Sequence, residues 1–220
     1  MAQILSCDDS NFAAAGQAVI LGMTIIFPTD TVYGLGSSPY SESGVARCFA
    51  LKNRDRHKPL PVLFSRISEV SRLVELNSQA TTLAKLFWPG SLTIVLPIRE
   101  NVQLPRPLVG NGESLAVRIP NHECCTRLID ACGGALIGTS ANVSGQAPLV
   151  DPEDPVLQEF ISRADYFVRG KCGGTASSTI IDLTSEKIRF LRDGAIPKEK
   201  VLAHLERASN AAFSSRNPSN

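Results

Sequence analysis

The feature that most constrains this chain is a series of short apolar, β-branched runs, each cut off by glycine or proline and separated by helix-period sequence. Residues 23–27, 60–64, 92–97, 114–119 and 135–138 have strand length, and their continuous apolar character suits strands buried on both faces. Helical periodicity fills much of what lies between, at 43–51, 78–87, 123–132, 155–163 and 197–207. An earlier helix, capped at Asp9 or Ser10, carries Phe12, Ala15 and Val19 on one side and stops at Gly22. Residues 179–183 and 187–191 read as a hairpin around Thr184, Ser185 and Glu186. Strands alternate with helices but also follow one another. The expected fold is therefore α/β: a single domain at 1–208, with an open twisted sheet of mixed direction and helices on its faces. The small, polar, aperiodic segment 209–220 reads as a disordered C-terminal tail.

Composition removes several function classes. Basic and acidic residues number 22 and 21, so the surface as a whole does not attract nucleic acid, although a local basic patch remains open. No apolar run approaches the roughly 18 residues of a membrane span, and the N-terminus lacks the pattern of a signal peptide. The six cysteines (Cys7, Cys48, Cys124, Cys125, Cys132 and Cys172) form no CxxC pair. They read as free thiols in a reducing cytoplasm, with His122 beside Cys124 and Cys125 only a weak metal candidate.

Four segments hold more hydroxyl, basic or small residues than packing requires. PTDTVYGLG at 28–36 offers Thr29 and Thr31 in a flexible loop. LKNRDRHKPL at 51–60 crowds Lys52, Arg54, Arg56, His57 and Lys58 together; an extended segment would put Lys52 and Arg54 on one face, and a helix ending near Lys52 would make them diverge. GTSANVSG at 138–145 follows a strand and supplies Ser140, Asn142 and Ser144 where small residues admit a ligand, without being a P-loop. ASSTII at 176–181 holds Ser178 and the FLRDGAI turn that follows holds Arg192, and the two would sit on paired strands near enough to share a site. Arg118 sits in an apolar strand and needs an anionic partner, from a ligand or from the protein. No Ser/His/Asp constellation with a nucleophile elbow is present, and the inventory favours binding of phosphate or carboxylate over acid–base hydrolysis.

In order along the chain, PTDTVYGLG, KNR with KPL, WPG with LTIVLP, AVRIP, TSANVSG, SSTIIDL and LRDGAI resemble the YrdC/Sua5 family, the threonylcarbamoyl-AMP synthases, over residues 10–200. The resemblance implies a YrdC-like twisted sheet with a basic cavity, and a nucleotidyltransferase reaction. L-threonine and bicarbonate would give N-carboxythreonine, which attacks the α-phosphate of ATP and releases pyrophosphate. The product would pass to the downstream tRNA threonylcarbamoyltransferase machinery for the t6A37 modification of tRNAs reading ANN codons. By position, Thr31, Arg118, Ser178 and Gly138 would contact threonine. Lys52, Arg54, Lys58, Ser114, Ser140, Asn142 and Arg192 would face ATP, with Lys52 and Arg54 catalytic. Mg2+ would accompany the triphosphate, held mainly by phosphate oxygens. RNA or tRNA is a further expected partner. Two positions depart from longer Sua5 members, Leu63 in place of a histidine and Pro148 in place of a hydroxyl residue. The chain ends before the extra C-terminal domain of the long members, closer to the single-domain type. The competing readings are a related YciO-type protein with the same cavity and a non-catalytic RNA-binding module.

Overall fold

The structure, a computed structural model, describes residues 1–8, 11–109 and 112–216, with side chains described as far as residue 207. It is mixed α/β, and two open mixed sheets take the place of the one expected. The five-stranded sheet has the order β1-β9-β2-β3-β8, from β1 (Gln3–Ser6), β2 (Ile25–Phe27), β3 (Gly34–Gly36), β8 (Thr139–Ser140) and β9 (Tyr166–Arg169). The six-stranded sheet has the order β11-β10-β5-β6-β4-β7, from β4 (Val62–Phe64), β5 (Leu92–Pro97), β6 (Ser114–Arg118), β7 (Ala135–Ile137), β10 (Thr179–Asp182) and β11 (Arg189–Arg192). The hairpin forms as expected, β10 pairing antiparallel with β11.

Strand β2 shows why its sequence is apolar without alternation. Ile26 joins one core with Leu35, Val62 and Ile94, while Ile25 and Phe27 join another with Leu5, Val19 and Leu128. The second core lies under α1 (Phe12–Ile20) and α5 (Glu123–Ala131), which pack on each other. The cap expected at Asp9 or Ser10 lies outside the described residues, and Asn11 holds the N-cap position. His122, the weak metal candidate, caps α5: its Nδ1 accepts from the Cys125 N–H at 3.3 Å, so Nε2 carries the hydrogen toward the Lys171 carbonyl at 3.0 Å.

The reading of all six cysteines as free thiols is corrected. Cys7 and Cys124 form a disulfide with Cα atoms 5.2 Å apart. Cys7 follows β1 and Cys124 opens α5, two elements that meet only in the finished fold, and a sequence separation of 117 gives no local signal. The helix expected over 197–207 is α7 (Lys198–Arg216), whose backbone extends into the segment read as a tail; residues 217–220 lie outside the described residues. Among the described residues no helix is long and apolar enough to cross a membrane.

The six-stranded sheet builds the floor of a cavity. Ile94, Leu96, Leu115, Val117 and Ile181 point into the core. Their period-two neighbours Thr93, Val95, Pro97, Ser114, Ala116, Arg118, Ile180 and Asp182 line the cavity.

Candidate functional site

The cavity measures about 650 Å³ and is walled by the floor strands, by the 29–34 loop, and by segments 57–61, 138–140 and 177–178. Its wall carries Arg54, Lys58, Arg118, Arg189 and Arg192 against the carboxylates of Glu113 and Asp182. Asp182 is already committed: its Oδ2 accepts from Arg189 Nη2 at 2.5 Å and its Oδ1 from Thr184 N–H and Oγ1. Burial alone would raise this carboxyl; the bonds from Thr184 and Arg189 outweigh it and hold the pKa below the ordinary value. Arg192 is pulled down to about 10 by burial and by the charges of Arg118 and Arg54. Several arginines crowded around one half-enclosed cavity make it a site for anions.

One end of the cavity is organised around Arg118, which is 5% exposed. Its Nη2 donates to Asp30 Oδ1 at 2.5 Å, its Nη1 to Thr31 Oγ1 at 3.2 Å and its Nε to the Gly90 carbonyl at 2.9 Å. The anionic partner that the strand arginine required is therefore Asp30, which the sequence reading passed over. Three of five guanidinium hydrogens are used, leaving one on each terminal nitrogen for a carboxylate. Thr31 is also decided by hydrogen counting. Thr29 Oγ1 donates to the Val32 carbonyl at 2.7 Å, so the 2.9 Å contact between the two hydroxyls is a donation from Thr31 to Thr29. Thr31 therefore meets a ligand only as an acceptor. Ser178 stands nearby, its Oγ 2.8 Å from Thr93 Oγ1 and 3.0 Å from Arg192 Nη2.

The basic cluster divides. Lys52 is the last residue of α2 (Glu42–Lys52), and Asn53 turns the chain with a positive φ of 47°. Lys52 and Arg54 diverge accordingly: Arg54 lines the cavity while Lys52, 1% exposed, points beneath it. Lys52 Nζ donates to the Ser140 carbonyl, to the Asn142 carbonyl at 2.7 Å and to Asn142 Oδ1 at 3.1 Å, which occupies all three of its hydrogens. Asn142 Oδ1 also accepts from Ser140 Oγ at 2.6 Å, and its amide donates to the carbonyls of Gln146 and Ala147. Ser140 lines the cavity, but Lys52 and Asn142 do not. These two, expected to face the phosphates, bond each other behind the Ser140 wall and clamp the 139–145 loop to the helix end. Arg54 is itself braced, its Nε and Nη2 donating to the carbonyls of Lys58 and Pro59. Lys58 and Ser114 also line the cavity.

Gly138 and Leu63 also line it. A methyl group on Gly138 would stand 2.3 Å from Leu63 Cγ and Cδ1. Gly138→Ala is expected to push Leu63 into the cavity and to weaken binding at the Arg118 end about tenfold or more, since overpacking costs roughly 1–3 kcal/mol. Ligand titration of the variant checks this; unchanged affinity would show that Leu63 has room to move elsewhere.

The Sua5/YciO/YrdC family model, described as "Telomere recombination", matches residues 17–194. Threonylcarbamoyl-AMP synthase of Pyrococcus abyssi is 37% identical over 184 residues, covering 82% of this chain and 53% of that protein. The Bacillus subtilis protein of the same name is 33% identical over 204 residues, covering 90% and 58%. The chain thus spans little more than half the length of these relatives. Among solved structures, P. abyssi Sua5 complexed with L-threonine superposes with a TM-score of 0.83 at 32% identity, covering 92% of this chain and 60% of that one. Escherichia coli YciO gives a TM-score of 0.77 at 25% identity, covering 90% and 98%. On this combined match of sequence and fold, the chain belongs to the Sua5/YciO/YrdC family.

Proposed function

We infer that the chain is a threonylcarbamoyl-AMP synthase. N-carboxythreonine, formed from L-threonine and bicarbonate, attacks the α-phosphate of ATP through a carbamate oxygen; the bond to the β-phosphate bridge oxygen breaks and pyrophosphate leaves. The observation that carries this reading is the division of one cavity into two anion seats. Arg118, with two unused N–H groups beside the acceptor Thr31, suits an amino-acid carboxylate and its amine-derived N–H. Arg54, Lys58, Ser114, Ser140 and Arg192 suit the nucleotide phosphates. In-line displacement at phosphorus needs positioning and charge neutralisation more than a protein nucleophile, and the wall supplies those.

Among the described residues no group of three His, Cys, Asp or Glu side chains forms a metal cage. Together with the commitment of Asp182 to Arg189, this suits Mg2+ arriving on the triphosphate, held by phosphate oxygens and water. When bound it supplies charge neutralisation at the leaving pyrophosphate. The adenylate is an activated acyl donor whose consumer is a tRNA-modifying transferase acting at t6A37.

The test is pyrophosphate release from ATP and bicarbonate with and without L-threonine. Threonine-dependent release supports the synthase; release that ignores threonine, or none, sinks it.

A further inference from the structure

Thr93 was not among the residues picked out from sequence, yet it lies at the carboxylate end of the cavity and is 1% exposed. Strands β5 and β6 run antiparallel with Ile94 opposite Val117. Continuing that register one step places Thr93 directly across from Arg118, and both side chains line the cavity. Cross-strand neighbours on one face are separated by about 5 Å at Cβ, close enough for both to hold one small ligand group.

Hydrogen counting gives the pair Thr93–Ser178 a direction. Arg192 can only donate, so Ser178 Oγ accepts from its Nη2 at 3.0 Å, and the Ser178 carbonyl accepts from its Nε at 2.9 Å. The 2.8 Å contact between Ser178 Oγ and Thr93 Oγ1 then has two orientations. In one, Ser178 donates to Thr93, and the Thr93 hydrogen is left for the cavity. In the other, Thr93 donates to Ser178, and two positive hydrogens converge on the same serine oxygen. Head-to-tail chains polarise each other favourably, and convergent donors do not. An anion in the cavity strengthens the first arrangement further: Arg192 to Ser178, Ser178 to Thr93, Thr93 to the anion. Among the described residues the Thr93 hydrogen in that arrangement meets no protein acceptor.

We propose that Thr93 is a substrate-binding residue, donating its hydroxyl hydrogen to the amino-acid carboxylate that Arg118 holds from the neighbouring strand. This rests on the reading of the Arg118 end as a carboxylate seat. It changes the part played by Ser178, which passes polarisation from Arg192 to Thr93 and is itself a positioning residue. The carboxylate seat is thereby tied to an arginine that faces the nucleotide end.

Calorimetric titration of L-threonine into the parent chain, Thr93→Val, Thr93→Ser and Ser178→Ala tests this without relying on turnover. Valine keeps the branched shape and removes the hydroxyl, so the Kd for threonine is expected to rise about tenfold or more, the scale for losing a hydrogen bond to a charged group. Serine keeps the hydroxyl and is expected to stay within about threefold of the parent. Ser178→Ala is expected to cost less than Thr93→Val. ATP affinity is expected to stay within about twofold in both Thr93 variants, with melting temperatures near the parent's. Threonine binding by the parent with Thr93→Val unchanged, or with Ser178→Ala the more damaging, would overturn the role of Thr93 and leave the synthase reading intact. Loss of ATP and threonine binding together in Thr93→Val, rescued by serine or not, would overturn it too, as a packing defect of the floor. A parent that binds ATP but no threonine overturns the carboxylate seat and the Thr93 proposal with it.

Discussion

Arg118→Ala is expected to abolish threonine-dependent pyrophosphate release, by at least about 100-fold in kcat/KM for threonine, and to destabilise the fold at the same time. The functional loss follows from removing both N–H groups open to the carboxylate, each a charge-assisted bond in a shielded site. The structural loss has a separate cause. Without Arg118, the Asp30 carboxylate, whose side chain is 10% exposed, keeps among the described residues only Ser91 Oγ at 3.2 Å as a side-chain donor. Stranding one charge of a buried pair costs about 3–5 kcal/mol. At roughly 2–4 °C per kcal/mol for a chain of this size, melting falls by about 10 °C. The double change Asp30→Asn with Arg118→Met separates the two effects: it removes both charges, so most of the stability is expected back and none of the activity. Thermal melts and initial rates on both proteins check this. Recovered activity in the double variant would show that Arg118 is only a strut.

Lys52→Met is the second large effect, and its pattern is the reverse. The sequence suggests a phosphate contact worth about 2–4 kcal/mol in the transition state. The structure shows a clamp: one ammonium joins the carbonyls of Ser140 and Asn142 and the Asn142 side chain. Methionine fills similar space and recovers the ammonium's desolvation cost, so melting is expected to move by only a few degrees. The loop that carries Ser140 into the cavity loses its tie to α2, and turnover is expected to fall about 100-fold or more. A Lys52 that touched phosphate alone would raise the KM for ATP and leave the loop in place; a clamp is expected to lower kcat as well. Loop protection measured by hydrogen exchange over 139–145 distinguishes the two.

The same residue sets a pH signature. Burial, and then the charge of Arg54, pull Lys52 down from the ordinary 10.5 to about 7. The folded chain therefore binds fewer protons than the unfolded chain between about pH 7 and 10.5, and through this group stability rises with pH across that window. Below pH 7 both states are charged and the dependence stops. Lys52→Met is expected to flatten this component of the stability profile. A slope unchanged in the variant would assign it to another group.

Much of the fold was legible where local chemistry decides it. Pro155 opens α6 (Pro155–Arg163) with Asp154 at its N-cap, Asn77 caps α4 (Ser78–Phe87) by accepting from the Ala80 N–H, and the hairpin of β10 and β11 formed around its turn. The strands of the five-stranded sheet other than β2 were not legible. β1 and β9 pair in parallel across most of the chain, and β3 is Gly-Leu-Gly, which carries no strand propensity. β3 forms between β2 and β8, and position 36 needs glycine because an added methyl would stand 2.1 Å from the Ile137 carbonyl oxygen. The site divides in the same way. Residue type picked out Arg118, Arg192, Ser140 and Ser178, and all four line the cavity. It could not show that Lys52 and Asn142 bond each other beneath the wall, since that depends on the αL turn at Asn53. Asp30 and Thr93 were hidden by ordinary surroundings, an acidic loop residue and a threonine in an apolar strand. Only the register of β5 on β6 and the closure of the 28–36 loop reveal what they face.

A structure of the chain with ATP and L-threonine bound together tests the two-seat cavity most directly. The threonine carboxylate is expected on Arg118 and Thr93, its nitrogen near Thr31 Oγ1, and the phosphates on Arg54, Ser140 and Arg192, with Lys52 still bonded to the 140–142 loop. Threonine bound away from Arg118, or a triphosphate lying across the Arg118 end, would contradict it.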